Sequence, residues 1–207
     1  MSGWQEVVTR AVDITGASVG LAIAAPIIGV SAFLVKREDA GPALFRQQRV
    51  GKDGAPFDVL KLRTMIVNAV SQGAGFAVDE GDSRITKMGA RLRRTSIDEL
   101  PQFWNVLVGE MSLVGPRPTL QYQVDKYTDR QRRRLEVKPG LTGWAQINGR
   151  AGLPWDERIE LDVWYVEHRT FRLDLEIMFR TVGVLFSGSG TYKGQAGGWQ
   201  PTDGGSV

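Results

Sequence analysis

The chain of 207 residues contains no cysteine and only one histidine, His168. Disulfides, thiolate metal sites and cysteine nucleophiles are therefore excluded, and a reducing compartment fits this composition. One histidine cannot form a multi-histidine zinc site, so any metal would be a hard cation held by oxygen atoms, with Mg²⁺ the expected one. The net charge is only +3, so the positions of the arginines matter more than their number.

One long stretch lacks charge altogether. The 22 residues from Ile14 to Val35 are uncharged, and about 20 apolar residues span a bilayer. Pro26 lies near the middle of this stretch, where a proline kinks or breaks a helix. Three interpretations stay open: a kinked spanning helix, a re-entrant helix that breaks at Pro26 and returns to the same face, and a buried core helix. A secretory signal is disfavoured because the basic region before the stretch is thin.

The remaining sequence predicts an α+β, mostly helical domain, and its length suits one compact core. Residues 44–65 alternate in hydropathy around Asp53-Gly54, a pattern typical of a β-hairpin. Two amphipathic helices follow, and both are candidates for the membrane interface. The first is expected to carry a basic face of Arg84, Lys87, Arg91 and Arg94, and the second an apolar stripe of Leu100, Phe103, Trp104, Leu107 and Met111. One or two further helices are expected over 155–186.

Two neighbouring acids, Asp98 and Glu99, allow two interpretations. Ser96 and Glu99 match the pattern of a helix capping box, in which Asp98 would only complement the helix dipole. Pro101 comes too early for a regular first turn, so that turn is expected to be irregular. The second interpretation is phosphoryl transfer, since carboxylates, a metal and arginines around a diphosphate are its usual components. A glycosidase acid pair is disfavoured because adjacent helical residues point about 100° apart.

Cations near this acidic pair come from three parts of the sequence. Arg93 precedes the pair, Arg117 lies between Pro116 and Pro118, and Lys61 is on the second hairpin strand. A proline on each side stiffens the backbone of Arg117, which suits bidentate recognition of phosphate. Taken alone, Arg117 could equally be a surface residue of a rigid turn.

Several segments together resemble the bacterial sugar transferase family, the monotopic polyprenyl-phosphate phosphoglycosyl transferases. They are "GPALFRQQRVG", "LKLRTM", "RRTSIDELPQFWNVLVGEMSLVGPRP", "VKPGLTGWAQINGR" and "ELDVWYV". The resemblance covers residues 10–186, and the chain is similar to the small, minimal members of the family. It implies a re-entrant membrane helix within 1–37 that breaks at Pro26 and a catalytic domain over 38–186. The composition after this domain indicates a Gly-rich tail over 187–207. Ala25 stands where the family usually has serine.

The resemblance also implies a reaction. Members transfer a phosphosugar from a nucleotide diphosphosugar, usually a UDP-sugar, to polyprenyl phosphate such as undecaprenyl phosphate, and release UMP. This step starts glycan assembly (exopolysaccharide, capsule, O-antigen or glycoprotein glycan) at the cytoplasmic face of the inner membrane.

The family's site residues match positions of this chain one by one. Asp98 matches the nucleophile and Glu99 its acidic partner, and the two are the expected ligands of Mg²⁺. Lys61, Arg93 and Arg117 match positively charged positions of the active site. Expected partners are the UDP-sugar, polyprenyl phosphate and membrane lipids, with no nucleic acid. The alternative function is a non-catalytic scaffold at the membrane surface whose basic helix binds lipid.

Overall fold

A computed structural model describes residues 3–69, 81–149 and 152–187. Its first element is α1 (Gly3–Asp39), which is long and apolar enough to cross a membrane. One stripe of α1 is buried against the rest of the protein, and it comprises Asp13, Ala17, Ala24, Ser31 and Val35. Large apolar side chains such as Trp4, Ile23 and Phe33 are exposed on the other faces. The α-helix continues through Pro26, so the predicted break is not confirmed and the re-entrant topology stays a prediction.

Both ends of α1 are bound to the same domain. Near the N-terminus, Arg10 donates hydrogen bonds of 2.7 and 2.8 Å to the carbonyl groups of Val106 and Leu107. At the C-terminal end, the Asp39 carboxylate pairs with the Arg63 guanidinium, with Nη1 2.5 Å from Oδ2. The apolar helix therefore lies along the domain instead of projecting away from it.

The predicted hairpin is confirmed. Strands β1 (Leu44–Val50) and β2 (Pro56–Leu62) pair antiparallel, with Gln47 opposite Val59. Asp53 and Gly54 have positive φ angles of 55° and 82° in the connecting turn, which suits the conformational preferences of Asp and Gly. Val59 and Leu62 are buried, and β2 thereby joins the core that also contains α1.

The basic helix is shorter than predicted. Helix α2 (Lys87–Arg94) begins after Thr86, whose hydroxyl accepts a 2.9 Å hydrogen bond from the Gly89 N–H. The assignment of Arg84 to this helix is wrong. Arg84 lies before it and is buried, with its guanidinium bonded to Asp82. The Thr86 cap fixes the helix start and leaves Arg84 in the preceding turn. An interfacial role for α2 stays a prediction.

The acidic pair lies in a 3₁₀ turn (Ile97–Glu99), followed by α3 (Gln102–Val108). Strand β3 (Ser112–Val114) leads into the Pro116–Pro118 segment and pairs in parallel with β4 (Gly140–Thr142). In the expected apolar stripe, Met111 is fully buried although it follows the helix, while Trp104 is 52% exposed.

The remaining elements are helical. They are α4 (Gln121–Val124), α5 (Asp129–Arg132), a 3₁₀ turn (Arg133–Glu136), α6 (Trp144–Ile147), α7 (Trp155–His168) and α8 (Phe171–Ser187). The last two confirm the helices expected over 155–186. Residues 188–207 of the predicted Gly-rich tail lie outside the described residues, and the division of the chain at 37 and 186 stays a prediction. Over the described residues the architecture is thus mostly helical, with two small two-stranded sheets.

Candidate active site

The turn that carries the acidic pair is not a capping box. Ser96 has φ 55° and ψ 17° and makes no side-chain cap, whereas an N-cap residue needs an extended backbone. The Glu99 carboxylate points instead toward Lys61 and Arg117. Pro101 becomes the residue before α3, so the expected irregular first turn is confirmed. The carboxylates are therefore available for other contacts.

Glu99 is held between two cations. Its Oε1 lies 2.8 Å from Lys61 Nζ and also accepts a hydrogen bond from Arg117 Nη2, while Arg117 Nη1 lies 3.4 Å from Oε2. Burial alone would raise the pKa of Glu99, but the charges of Arg117 and Lys61 outweigh it and hold the pKa well below its usual range. Glu99 is thus a fixed anion that aligns two cations.

Asp98 has the opposite environment although it is the adjacent residue. It is only 7% exposed, and its carboxylate makes no ion pair and accepts no hydrogen bond within the described residues. Burial and the negative charge of Glu99 raise its pKa, against the smaller effects of Lys61, Arg93 and Arg117. The position of Asp98 shortly before α3 therefore does not lower its pKa below the ordinary value. Two acids with divergent pKa values are typical of distinct chemical roles.

The structure brings all the predicted cations to this pair. Lys61 comes from β2, Arg117 from the segment after β3, and Arg93 from the last turn of α2. Arg93 Nε donates a 2.7 Å hydrogen bond to Thr64 Oγ1, and its charge acts on Asp98. The Arg117 side chain is half exposed, so an anion can reach it from solvent. The arrangement can hold a phosphate group against the Asp98 carboxylate.

Buried residues that the sequence analysis did not select support Arg117. Arg134 Nη2 donates a 3.0 Å hydrogen bond to the Arg117 carbonyl and lies 2.5 Å from Asp162 Oδ2. Arg134 Nη1 donates a 2.6 Å hydrogen bond to the Tyr127 hydroxyl, which lies 2.9 Å from Thr119 Oγ1. Arg134 lies in a run of charged residues that is typical of a solvent-exposed surface. The neighbouring sequence therefore does not indicate that Arg134 is buried.

The donor set of the acidic pair fits Mg²⁺. Both side chains offer carboxylate oxygens, which this ion prefers. Within the described ranges, no group of three or more His, Asp or Glu side chains forms a site made by protein alone. Mg²⁺ is commonly held by one or two carboxylates together with substrate phosphates. Asp98 could supply one of them, whereas Glu99 would have to share its oxygens with Lys61 and Arg117, so the Mg²⁺ site stays a prediction.

Comparison with known proteins agrees with this geometry. The profile of the Bacterial sugar transferase family matches residues 4–188, which is most of the chain and includes α1 and the whole candidate site. The chain belongs to the bacterial sugar transferase family.

Members with curated names are similar along most of the chain. It is 45% identical to the uncharacterized sugar transferase EpsL of Bacillus subtilis (strain 168), over 89% of this chain and 90% of EpsL. It is 43% identical to the UDP-glucose:undecaprenyl-phosphate glucose-1-phosphate transferase of Caulobacter vibrioides, over 88% of this chain and 71% of that protein. It is 45% identical to the galactosyl transferase CpsE of Streptococcus agalactiae, of which it spans 42%. The chain thus spans nearly all of one relative and under half of another.

Proposed function

We propose that this chain transfers a phosphosugar from a UDP-sugar to polyprenyl phosphate, with undecaprenyl phosphate as the natural acceptor and UMP as the leaving product. The observation that carries the proposal is the contrast within the acidic pair: two cations neutralise Glu99, while Asp98 is buried and makes no ion pair within the described residues. The names of relatives from Caulobacter vibrioides and Escherichia coli, which specify UDP-glucose and undecaprenyl phosphate, support the two substrate classes. Assembly of a membrane-linked glycan would follow this step.

Asp98 is proposed as the nucleophile. One of its carboxylate oxygens attacks the β-phosphorus of the UDP-sugar, the bond from that phosphorus to the bridging oxygen breaks, and UMP departs with the bonding electron pair. An oxygen of polyprenyl phosphate then attacks the same phosphorus and releases the Asp98 carboxylate. Two steps at one carboxylate let a single site serve a soluble and a lipid substrate in turn. The raised pKa of Asp98 suits this role because a more basic carboxylate is a stronger nucleophile.

Lys61, Arg93 and Arg117 are proposed to bind the phosphate oxygens. Their positions are fixed before substrate arrives, since Glu99 holds Lys61 and Arg117 and Thr64 holds Arg93. Preorganised cations reduce the repulsion between the Asp98 carboxylate and the diphosphate. Mg²⁺, held by Asp98 and Glu99, would neutralise further charge on the diphosphate when bound.

The proposed location is the cytoplasmic face of the inner membrane, with α1 as a re-entrant anchor surrounded by membrane lipids. Contacts at the two ends of α1 support this topology, because Arg10 and Asp39 are both bound to one domain. A helix that crossed the bilayer at right angles would carry one of these contacts to the opposite face. The exposed apolar side chains along α1 supply the surface that lipid would cover.

The reaction is tested by measuring UMP release from a panel of UDP-sugars in membranes that contain polyprenyl phosphate. We expect release with at least one UDP-sugar, multiple turnovers only when the lipid acceptor is present, and loss of turnover in excess EDTA that Mg²⁺ restores. Turnover that persists in EDTA would contradict the metal assignment. A protein that binds anionic lipid vesicles and never releases UMP would instead be a scaffold.

The topology is tested by cysteine labelling, for which a chain without cysteine is suited. A side chain at Gly3 would meet no atom within 4 Å, so Gly3→Cys is a suitable probe, with exposed Arg172→Cys on the domain as its control. An impermeant reagent should label neither position in intact cells and both in lysed cells. Labelling of Gly3→Cys alone from outside would show a spanning helix. Pro26→Leu should expose part of the Gly3→Cys population, because it removes the only proline from a 22-residue uncharged run that is long enough to span a bilayer.

A further inference from the structure

Arg49, at the end of β1, lies beside Arg117 without an acidic partner. Its Nη2 donates a 2.6 Å hydrogen bond to Gln47 Oε1, and its Nη1 lies 3.3 Å from the Pro118 carbonyl oxygen. Within the described ranges, no carboxylate lies within 4 Å of its guanidinium. Burial, with repulsion from Arg117 as the next cause, lowers the pKa of Arg49 to about 10. Arg49 is therefore a partly buried cation whose hydrogen-bond acceptors within the described residues are neutral.

Arg158, near the start of α7, is a second arginine whose charge is repelled by that of Arg117. Its Nε is buried and has no hydrogen-bond partner among the described residues. Burial, followed by repulsion from Arg117 and Arg134, lowers its pKa, and Asp162 offsets only part of this effect. Since Asp162 already accepts from Arg134 at 2.5 Å, Arg158 shares a carboxylate that another arginine holds.

The charges around the Pro116–Pro118 segment do not balance. Four guanidinium groups interact there, those of Arg49, Arg117, Arg134 and Arg158. The nearby carboxylates within the described residues are Glu99, which also serves Lys61, Asp98 and Asp162, so the cations still outnumber them. Partly buried cations without counter-ions are costly. An anion that binds among them would remove this cost.

We propose that Arg49 and Arg158 form, next to Arg117, a second anion subsite that binds the phosphate retained by the departing nucleotide. The inference rests on the proposed function, because it assigns the two phosphates of the UDP-sugar to two different groups of cations. The phosphate that Asp98 attacks lies among Lys61, Arg93 and Arg117. The phosphate that stays with the nucleoside lies beyond Arg117, where the guanidinium forks of Arg49 and Arg158 can each donate two hydrogen bonds.

The placement of Arg158 favours the nucleotide over the lipid phosphate. Helix α1, along which a lipid acceptor would enter, packs against α2, α3, β2 and β3. Helix α7 packs against α5, α6 and the Arg133–Glu136 turn, so Arg158 belongs to a different flank of the domain. Tyr122, which interacts with Arg49, is 40% exposed and offers an aromatic surface beside Arg49.

The test measures both substrates for Arg49→Gln and Arg158→Gln. Each variant should raise the KM for the UDP-sugar and the inhibition constant of UMP by about 10- to 100-fold, the effect of losing a charged hydrogen bond. The KM for polyprenyl phosphate should change less than about twofold by the same reasoning. Lysine at either position should restore only part of the affinity because it lacks the planar fork.

Two matched controls separate the subsite from general charge. Arg46→Gln removes an exposed arginine from the same strand, and Arg172→Gln removes one from α8; both should leave UMP inhibition as in the parent. If the parent is active and UMP inhibits Arg49→Gln and Arg158→Gln as strongly as the parent, the subsite is wrong, while the proposed function stands. A higher KM for polyprenyl phosphate at unchanged UMP inhibition would overturn it in favour of the lipid phosphate. A parent that never releases UMP would refute the proposed function itself.

Discussion

Two clusters of cations and carboxylates lie on either side of the Pro116–Pro118 segment, and they differ in how completely their charges are paired. In the buried cluster, Arg134 and Asp162 have side chains only 7% and 4% exposed and contact each other directly. In the candidate active site, Arg117 is half exposed and Asp98 makes no ion pair within the described residues. The buried cluster holds the backbone of Arg117 in place, while the active-site cluster leaves one acid and several cations for substrate.

This comparison implies that stability and activity depend on different residues. Removing one charge from the buried cluster leaves the opposite charge unpaired in a low-dielectric environment, which destabilises the fold. Removing the charge of Asp98 relieves a desolvated carboxylate beside Glu99, so the fold should tolerate it. The predictions below test that separation, starting with the largest effect.

Asp98→Asn should lower turnover by about 10³-fold or more, because an amide does not replace a carboxylate nucleophile. The variant should unfold at the same temperature as the parent or a higher one. Turnover is measured by UMP release and stability by thermal denaturation. The matched control is Asp156→Asn, which makes the same substitution at an exposed aspartate. An Asp98→Asn protein that is inactive only because it is unfolded would contradict the separation.

Asp162→Ala should lower the free energy of unfolding by about 3–5 kcal/mol, the usual cost of leaving a buried charge unpaired. The charge left behind is that of Arg134, whose guanidinium also bonds to Tyr127 and to the Arg117 carbonyl. Denaturant unfolding measures the loss. Glu160→Gln on the same helix removes an exposed carboxylate paired with Arg130, and it should change stability little. Equal stability losses in the two variants would show that the buried pair has no special role.

Arg117→Ala should cost about 2–4 kcal/mol of transition-state stabilisation, the range for a donor aimed at developing charge. Arg117→Lys should recover only part of this, since the bidentate fork is lost. The measurement is kcat/KM for UMP release, with exposed Arg172→Ala on α8 as the control. Full activity in Arg117→Ala would make Arg117 a turn residue and nothing more.

The raised pKa of Asp98 gives the smallest expected effect, a shift in pH dependence. The carboxylate must be ionised to attack, so turnover should fall as pH decreases through a value above the ordinary aspartate pKa of about 3.9. Because the folded state binds this proton more tightly than the unfolded state, protonation stabilises the fold and that contribution is lost as pH rises. Asp98→Asn should therefore gain most stability over the parent at neutral pH. An acid limb at the ordinary aspartate pKa would contradict a desolvated nucleophile.

Local sequence patterns predicted the elements that local chemistry determines. The Asp53-Gly54 turn, the irregular turn before Pro101 and the two helices after residue 154 follow from turn preferences and helical periodicity. The Ser96–Glu99 capping box failed because two distant cations, Lys61 and Arg117, attract the Glu99 carboxylate more strongly than its own backbone does. Periodicity also extended α2 back to Arg84, where the Thr86 cap starts the helix later.

The sequence predicted the charged residues of the candidate site, but it did not predict the buried residues that hold them in place. The resemblance to a family identified Asp98, Glu99 and the cations, and the structure brings these together. Arg134, Asp162 and Tyr127 become neighbours only through the packing of α7 on the Arg133–Glu136 turn. Such contacts between distant segments leave no periodic trace in a single sequence.

The most direct test of Asp98 as nucleophile is a single-turnover experiment with UDP-sugar and Mg²⁺ in the absence of polyprenyl phosphate. The parent should release up to one equivalent of UMP and gain the mass of one phosphosugar, with the adduct located at Asp98 by peptide mass spectrometry. Hydroxylamine should remove the adduct, as expected for an acyl phosphate, and Asp98→Asn should show neither UMP burst nor adduct. An adduct on another residue, or UMP release that requires both substrates together and leaves no adduct, would contradict the account.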